Sequence, residues 1–184
     1  MTVSHPQPPL SFRPATPADI PLLLPLIRSA YRGLSSRKGW TTEADLVADQ
    51  RIDEAGLLGK IAHPDGVVLL VTDGDAGAPL SCCEVLRKPD GKTAYFGLFA
   101  VDPERQAGGV GRRVLGYAEE FARREWGVGR IEMWVIWVRE ELISWYERRG
   151  YRRTGERREF PYKELVGGEA LRDDLYFVVL EKEL

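Results

Sequence analysis

Apolar residues along this chain follow two different spacings, and each spacing predicts a different kind of element. Three runs rich in apolar residues cover 66–73, 80–88 and 93–101, and the turn signals DGDAGAP and PDG separate them. Such runs predict a meander of antiparallel strands. From Gly109 the apolar positions change to helical spacing, which predicts an amphipathic helix that runs to about Trp126. Its apolar face holds Val110, Val114, Leu115, Ala118, Phe121 and Ala122.

The remaining segments complete an alternating order of strands and helices. A short strand precedes a helix whose start is marked by the capping pattern T-P-A-D at residues 16–19. Segment 32–42 predicts a loop, and segment 42–61 predicts one or two short helices. The apolar run 130–138 predicts a buried strand, and REELISWYERRG predicts a short helix that ends at a glycine. Two last strands are expected around the loop PYKELVGGEALR.

Length and charge limit the class of protein. The 184 residues suit one domain, and the sequence has no visible repeat. Residues 1–9, which include three prolines, are expected to form a flexible leader, and residues 10–184 a single α/β domain. The formal net charge is -2, from 26 Lys and Arg against 28 Asp and Glu, which argues against a nucleic-acid-binding protein.

Cysteine and histidine usage argues against disulfide and metal chemistry. Cys82 and Cys83 are adjacent in an apolar run, so on a strand they point to opposite faces and a bridge between them needs distorted geometry. Free thiols indicate a reducing compartment. His5 and His63 have no metal-ligand partners nearby in sequence, so no metal site is expected. Without a signal-peptide pattern or an apolar run of membrane-spanning length, we expect a cytoplasmic protein with no membrane partner.

The stretch RQAGGVGRRVL, residues 105–115, puts glycines and arginines at the start of the long helix. The first amides of a helix lack internal partners and attract anions, and glycines let a ligand approach the backbone. Arginines at this end oppose the helix dipole, but a bound phosphate reverses that effect. Neither the dinucleotide pattern G-x-G-x-x-G nor a P-loop is met. The alternative is a flexible turn with solvated arginines.

The residues from Gln106 to Gly111 fit the Q/R-x-x-G-x-G/A motif of the GNAT (Gcn5-related) N-acetyltransferase superfamily, which the chain resembles. The segments RIEMWVIWV and REELISWYERRGY are similar to the next strand and helix of that family. The resemblance implies a mixed, mostly antiparallel central sheet flanked by helices, with two parallel strands that splay apart. It implies acetyl-CoA as cofactor, with Gln106 at the first motif position. The diphosphate is then expected on the amides of Ala107, Gly108, Gly109, Val110, Gly111 and Arg112, and the pantetheine arm on the backbone of Phe99, Ala100 and Val101.

The resemblance also implies a reaction, the transfer of acetyl to a primary amine of a small molecule or peptide. An alkyl amine with a pKa of about 10.4 must lose a proton, and the departing thiolate, with a thiol pKa of about 8.5, must gain one. Tyr146 stands at the position of the family's tyrosine and is expected to be the general acid; without the family it is a core aromatic. Glu84, in an apolar strand, is the candidate base. Glu132 and a relay of ordered water are the alternatives.

The sequence leaves open part of the cofactor contacts, the acceptor and the oligomeric state. The family often has Asn-x-x-Ala in the helix that ends with the tyrosine, whereas this chain has Arg139 and Leu142, which puts cofactor contacts from that helix in doubt. Trp40 either forms an acceptor wall or only holds its loop. A non-catalytic acyl-CoA-binding sensor on the same fold is the alternative function. Family members often pair through their last strands, so a homodimer is left open, and no pattern selects the amine.

Overall fold

A computed structural model describes residues 9–75 and 77–184, so residues 1–8 of the expected leader lie outside the described part. Seven strands form one sheet in the order β1-β3-β4-β5-β6-β9-β7. In that order they are β1 (Leu10–Pro14), β3 (Gly66–Asp73), β4 (Pro79–Arg87), β5 (Thr93–Val101), β6 (Arg130–Ile136), β9 (Tyr176–Glu183) and β7 (Arg152–Glu159). Neighbouring strands are antiparallel except β5 and β6, which are parallel. The predicted fold class and the antiparallel meander of β3, β4 and β5 are confirmed.

In ranges 9–75 and 77–184, five α-helices connect these strands. They are α1 (Ile20–Tyr31), α2 (Gly33–Ser36), α3 (Glu54–Ile61), α4 (Val110–Trp126) and α5 (Glu140–Glu147). The predicted capping pattern begins a 3-10 turn, Pro17–Asp19, that leads into α1. The Thr16 backbone N–H and hydroxyl both donate to the Asp19 carboxylate, at 2.8 and 3.0 Å. The long helix α4 begins within one residue of the predicted start and ends at the predicted Trp126.

The segment before β3 is where the sequence prediction was incomplete. The expected loop 32–42 contains the four-residue helix α2. Segment 42–61 contains one helix, α3, and also a two-residue strand, β2 (Val47–Ala48). This strand pairs with β8 (Glu169–Ala170) in the late loop, a contact between parts of the chain that no local pattern records. The pairing fixes segment 43–50 against the late loop.

The core lies on both faces of the large sheet. One cluster fills the face under α4 and α5, with Val114, Leu115 and Ala118 as central members. A second cluster fills the opposite face under α1 and α3. Cys83 belongs to the first cluster and Cys82 to the second, so the predicted placement on opposite faces is confirmed and both thiols are free. Among the described residues, no helix combines the length and the apolar character needed to cross a bilayer.

The parallel strands β5 and β6 separate after a short contact. They pair only from Thr93–Arg130 to Tyr95–Glu132, although β5 continues to Val101. Near the separation the β4–β5 register shifts, and Leu98 takes a left-handed φ of 45°. A bulge of this kind bends its strand and increases its local twist. The result is an open gap between two strands of the sheet.

Candidate active site

The gap between β5 and β6 is the floor of a cavity of about 330 Å³. Its two ends are built from different parts of the chain. The turn side is formed by Gly109, Gly111 and Arg112 at the start of α4 and by Trp145, Tyr146 and Arg149. The loop side is formed by Tyr31, Trp40, Glu43, Arg51, Tyr95, Trp134, Phe160 and Phe177. One cavity therefore joins the glycine turn to a group of aromatic and charged side chains.

The start of α4 has the features expected of an anion site. Gly109 occupies the N-cap with φ of 71°, a left-handed conformation that glycine adopts without the steric cost of a side chain. No side chain caps the helix, so the amides of its first turn are not bonded by a capping group. The first-turn residues Val110 and Gly111 follow directly, and the Val110 side chain is buried in the core. This geometry leaves the positive end of a 17-residue helix directed at the cavity.

The Gln106 side chain points to the loop and connects it to the turn. Its Oε1 accepts a hydrogen bond from the Trp40 backbone N–H at 3.0 Å, and its Nε2 donates to the Thr41 hydroxyl at 2.9 Å. A Cβ atom added at Gly39 would lie 2.5 Å from Oε1, so glycine is required for this close approach. Ala107 and Gly108 follow Gln106 in a 3-10 turn that leads into the Gly109 cap.

The predicted pantetheine strand lies along the cavity, but its three residues differ in position. Phe99 and Val101 line the cavity, whereas Ala100 is buried in the cluster on the α1 face. The Tyr31 hydroxyl donates to the Phe99 carbonyl oxygen at 2.7 Å, and burial raises the pKa of Tyr31 to about 12. The Tyr31 side chain is thus fixed beside the strand at neutral pH.

Tyr146 is buried and lines the cavity on the turn side. Its ring packs edge-on against Trp145 and Tyr151, with centroids 5.0 and 5.7 Å apart. Burial raises the pKa of the Tyr146 phenol well above its usual value, so the hydroxyl stays protonated at neutral pH. Within the described part of the chain the hydroxyl has no hydrogen-bond partner, which leaves its proton for a ligand in the cavity.

Glu84 and Glu132, the two candidate bases, are both engaged in ion pairs. The Lys60 ammonium donates to Glu84 at 2.7 Å, and Glu84 lies opposite Gly97 in the β4–β5 register. Lys88 donates to Glu132 at 2.8 Å. Neither carboxylate is among the residues that line the cavity, so the structure does not bring Glu84 next to Tyr146.

Arg139 takes part in a buried charge network that the sequence did not reveal. It donates to one oxygen of Glu43, while Arg32 donates to the other oxygen of Glu43 and to Asp49. Arg139 also donates to the Thr41 carbonyl oxygen. Burial alone would raise the pKa of Glu43, but the charges of Arg139 and Arg32 hold it below its usual value. Arg139 therefore anchors the loop next to the cavity and keeps Glu43 ionised.

Arg149 is a second residue that sequence reasoning missed. Its guanidinium carbon lies 3.5 Å from the centroid of the Trp145 ring, and its Nη1 donates to the Trp145 carbonyl oxygen at 2.7 Å. Among described residues its Nε is buried without a hydrogen-bond partner. Burial and the nearby charges of Arg148 and Arg112 lower its pKa. An anion bound on the turn side would relieve both the unpaired donor and the repulsion between cations.

In the ranges 9–75 and 77–184, no group of three or more His, Cys, Asp or Glu side chains is arranged to hold a metal ion.

Comparison with known proteins agrees with this geometry. The model of the acetyltransferase (GNAT) family matches residues 27–151. The structure of spermidine N-acetyltransferase from Vibrio cholerae in complex with CoA and spermine superposes with a TM-score of 0.67 at 15% identity, covering 95% of both chains. Ribosomal-protein-S18-alanine N-acetyltransferase from Escherichia coli gives 0.64 at 16% identity, over 95% of this chain and 94% of that one.

Nourseothricin acetyltransferase is 26% identical, with a TM-score of 0.54 over 65% of this chain and 66% of that one. A search of curated proteins gave no significant match. At 15% and 16% identity the two longer superpositions establish the fold alone. The family model, however, spans more than half of the chain and includes the glycine turn and Tyr146. The chain therefore belongs to the acetyltransferase (GNAT) family.

Proposed function

We propose that the protein transfers the acetyl group of acetyl-CoA to a primary amine of a small molecule or peptide. One observation carries this proposal. A single cavity connects the uncapped glycine turn at the start of α4 with the Tyr146 hydroxyl, through the gap between β5 and β6. The similar structures named above act on amines of both kinds, a polyamine in one case and a protein alanine in the other.

The proposed cofactor site uses backbone and side-chain groups of the turn side. The amides from Ala107 to Arg112 are proposed to hold the diphosphate, because they lie at the positive end of α4. Arg112 and Arg149 add two guanidinium groups at this end of the cavity. The edge of β5 from Phe99 to Val101 is proposed to carry the pantetheine arm. Acetyl-CoA, when bound, supplies the thioester carbonyl.

The chemistry requires one proton to leave the amine and one to reach the sulfur. The amine nitrogen attacks the thioester carbonyl carbon, the carbon–sulfur bond breaks, and the thiolate leaves with the bonding electrons. Tyr146 is proposed to donate its phenolic proton to that sulfur, since burial keeps the group protonated. Glu84 is proposed to accept the amine proton through water beside Gly97, because Glu84 itself does not line the cavity.

Replacing the Tyr146 hydroxyl tests the central role. Tyr146→Phe is expected to lower kcat about a hundredfold, the usual scale of a lost general acid. The Kd of acetyl-CoA should stay within about twofold, because the ring and its packing remain. Thiol release measures the rate and calorimetry the binding. Tyr117→Phe is the matched control, because Tyr117 lies on α4, stacks on Phe12 with centroids 3.9 Å apart and does not line the cavity.

Unchanged turnover in Tyr146→Phe would refute the assigned acid. If acetyl-CoA binds but no amine of a broad panel releases thiol, the protein is a non-catalytic acyl-CoA-binding sensor instead. For Glu84, the variant Glu84→Gln should lower kcat and leave the Kd of acetyl-CoA unchanged; unaltered turnover removes Glu84 as the base. We also propose a cytoplasmic location, because Cys82 and Cys83 are both buried and free.

A further inference from the structure

The two buried carboxylates on the loop side of the cavity, Glu43 and Asp49, already accept hydrogen bonds from the protein. Glu43 has Arg139 on one oxygen and Arg32 on the other. One oxygen of Asp49 accepts from Arg32 and from the Arg51 backbone N–H at 3.0 Å, and the other accepts from the Val166 N–H at 3.3 Å. Each of the four carboxylate oxygens therefore already accepts from a protein donor, and both side chains are paired with arginine.

Arg51 is in the opposite situation. Its side chain lines the cavity, and its guanidinium carbon lies 4.9 Å from the centroid of the Tyr31 ring. In the part of the chain that is described, its guanidinium has neither a carboxylate at ion-pair distance nor a hydrogen-bond partner. The residue also holds φ of 65°, a conformation that costs a non-glycine residue energy and often marks a functional position. The Arg51 guanidinium is thus an unpaired positive charge beside the Tyr31 ring.

The charge balance on the loop side follows from these contacts. Three arginines, Arg32, Arg51 and Arg139, face two buried carboxylates, Glu43 and Asp49. The remaining acidic group that lines the cavity, Glu164, is exposed to solvent. The inner loop side therefore carries one excess positive charge.

Four aromatic side chains form a large part of the loop side: Tyr95, Trp134, Phe160 and Phe177. Trp134 lies between Tyr95 and Phe177, with ring centroids 5.0 and 6.4 Å away. Phe160 packs on Phe177 at 5.5 Å. Tyr95 also lies against Gly97, where an added Cβ would approach its ring to 2.6 Å. A ligand on this side therefore meets both a cation and a broad apolar surface.

We propose that the acceptor is a primary amine that also carries a carboxylate, which Arg51 binds, with an apolar body against Tyr95, Trp134, Phe160 and Phe177. This inference rests on the proposed acetyl transfer and adds the substrate class to it. An arginine fork matches a carboxylate in shape and charge. A polyamine is disfavoured, because its second ammonium group would meet Arg51 and no free inner carboxylate.

Three probes that differ at one group test this class. They are phenylalanine, phenylalaninamide and phenethylamine, which share the aromatic body and the amine but only the first carries a carboxylate. The measurement is kcat/KM by thiol release from acetyl-CoA for wild type and Arg51→Gln. The amine pKa differs among the probes, so the informative quantity is the ratio of acid to amide in the two proteins. The wild-type ratio should exceed the Arg51→Gln ratio by about 10- to 100-fold, the effect of one lost charge-assisted pair.

A control variant and a binding measurement distinguish failure of the proposed substrate class from failure of the proposed acetyl transfer. Arg37→Gln, which removes an exposed arginine paired with Asp45, should leave the ratio unchanged. If Arg51→Gln does not fold, calorimetry of wild type with CoA decides: N-acetylphenylalanine should bind at least about tenfold more tightly than its amide. Two results would overturn the inference: an equal acid-to-amide ratio of kcat/KM in wild type and Arg51→Gln, or equal binding of N-acetylphenylalanine and its amide. If thiol release with an amine is still observed, the proposed acetyl transfer stands. Absence of acetyl-CoA binding and of thiol release with every amine, spermidine included, refutes the proposed function itself.

Discussion

Replacing Arg139 by the asparagine that the family often has at this position should destabilise the protein strongly. Arg139 donates to Glu43 and to the Thr41 carbonyl oxygen. Its side chain is 12% exposed and that of Glu43 is 7% exposed, so both charges lie in a poorly solvated place. Arg139→Asn shortens the side chain and removes one of the two positive charges that pair with the Glu43 carboxylate.

The size of the effect follows from these contacts. Two hydrogen bonds from a charged donor contribute about 1.5–3 kcal/mol each. Removing one partner of a buried ion pair costs about 3–5 kcal/mol. Because Glu43 keeps Arg32, we expect the lower end, about 3 kcal/mol. For a chain of 184 residues this lowers Tm by about 6–12 °C.

Thermal unfolding of wild type, Arg139→Asn and Arg37→Asn measures this effect with a matched control. The Arg37–Asp45 pair lies on the same loop but is 46% and 72% exposed, so its loss should cost less than about 1 kcal/mol. The pKa of Glu43 is lowered in the folded state, so its contribution is present above the unfolded value of about 4.3 and is lost as pH falls through the folded pKa. The difference between wild type and Arg139→Asn should therefore shrink in acid. A Tm change in Arg139→Asn no larger than that in Arg37→Asn would refute the reasoning.

Two further predictions concern the two ends of the cavity. Arg149→Met removes the guanidinium that stacks on Trp145, and calorimetry should show the Kd of acetyl-CoA raised about tenfold. The control Arg148→Met, at an exposed neighbouring position, should change this Kd less than about twofold. Equal effects of the two variants on the Kd would place Arg149 outside the cofactor site. Gly97→Ala puts a Cβ 2.6 Å from the Tyr95 ring, so the ring must move. This change should raise the KM of the amine and leave the Kd of acetyl-CoA unchanged. An unchanged KM would show that the Tyr95 ring does not contact the acceptor.

Local patterns predicted much of the fold and the turn side of the site. The period of the apolar residues located α4 and the three central strands, because amphipathic elements repeat at fixed spacing. The glycines of 106–111 marked the start of α4, since a left-handed N-cap requires a residue such as Gly109. The tyrosine ending of the next helix identified Tyr146, which lies in the same cavity.

The loop side could not be predicted in the same way, because its contacts join distant parts of the chain. Glu43 and Arg139 are separated by 96 positions, and no local pattern records their ion pair. The strand β2 at Val47–Ala48 exists through its pairing with β8, which overrides the local helical pattern. The Gln106 side chain, assigned by motif to the cofactor turn, in fact connects that turn to Trp40 and Thr41.

Calorimetric titration of acetyl-CoA into Gly109→Asp and Gly109→Asn tests the central claim most directly. Both side chains tolerate the left-handed backbone that Gly109 holds at φ of 71°, so both variants should fold, and they differ chiefly by one negative charge at the helix start. If the cofactor diphosphate binds at this turn, Gly109→Asn should keep measurable affinity and Gly109→Asp should lose at least about tenfold more. Equal affinity of Gly109→Asp, Gly109→Asn and wild type would contradict a cofactor site at the start of α4.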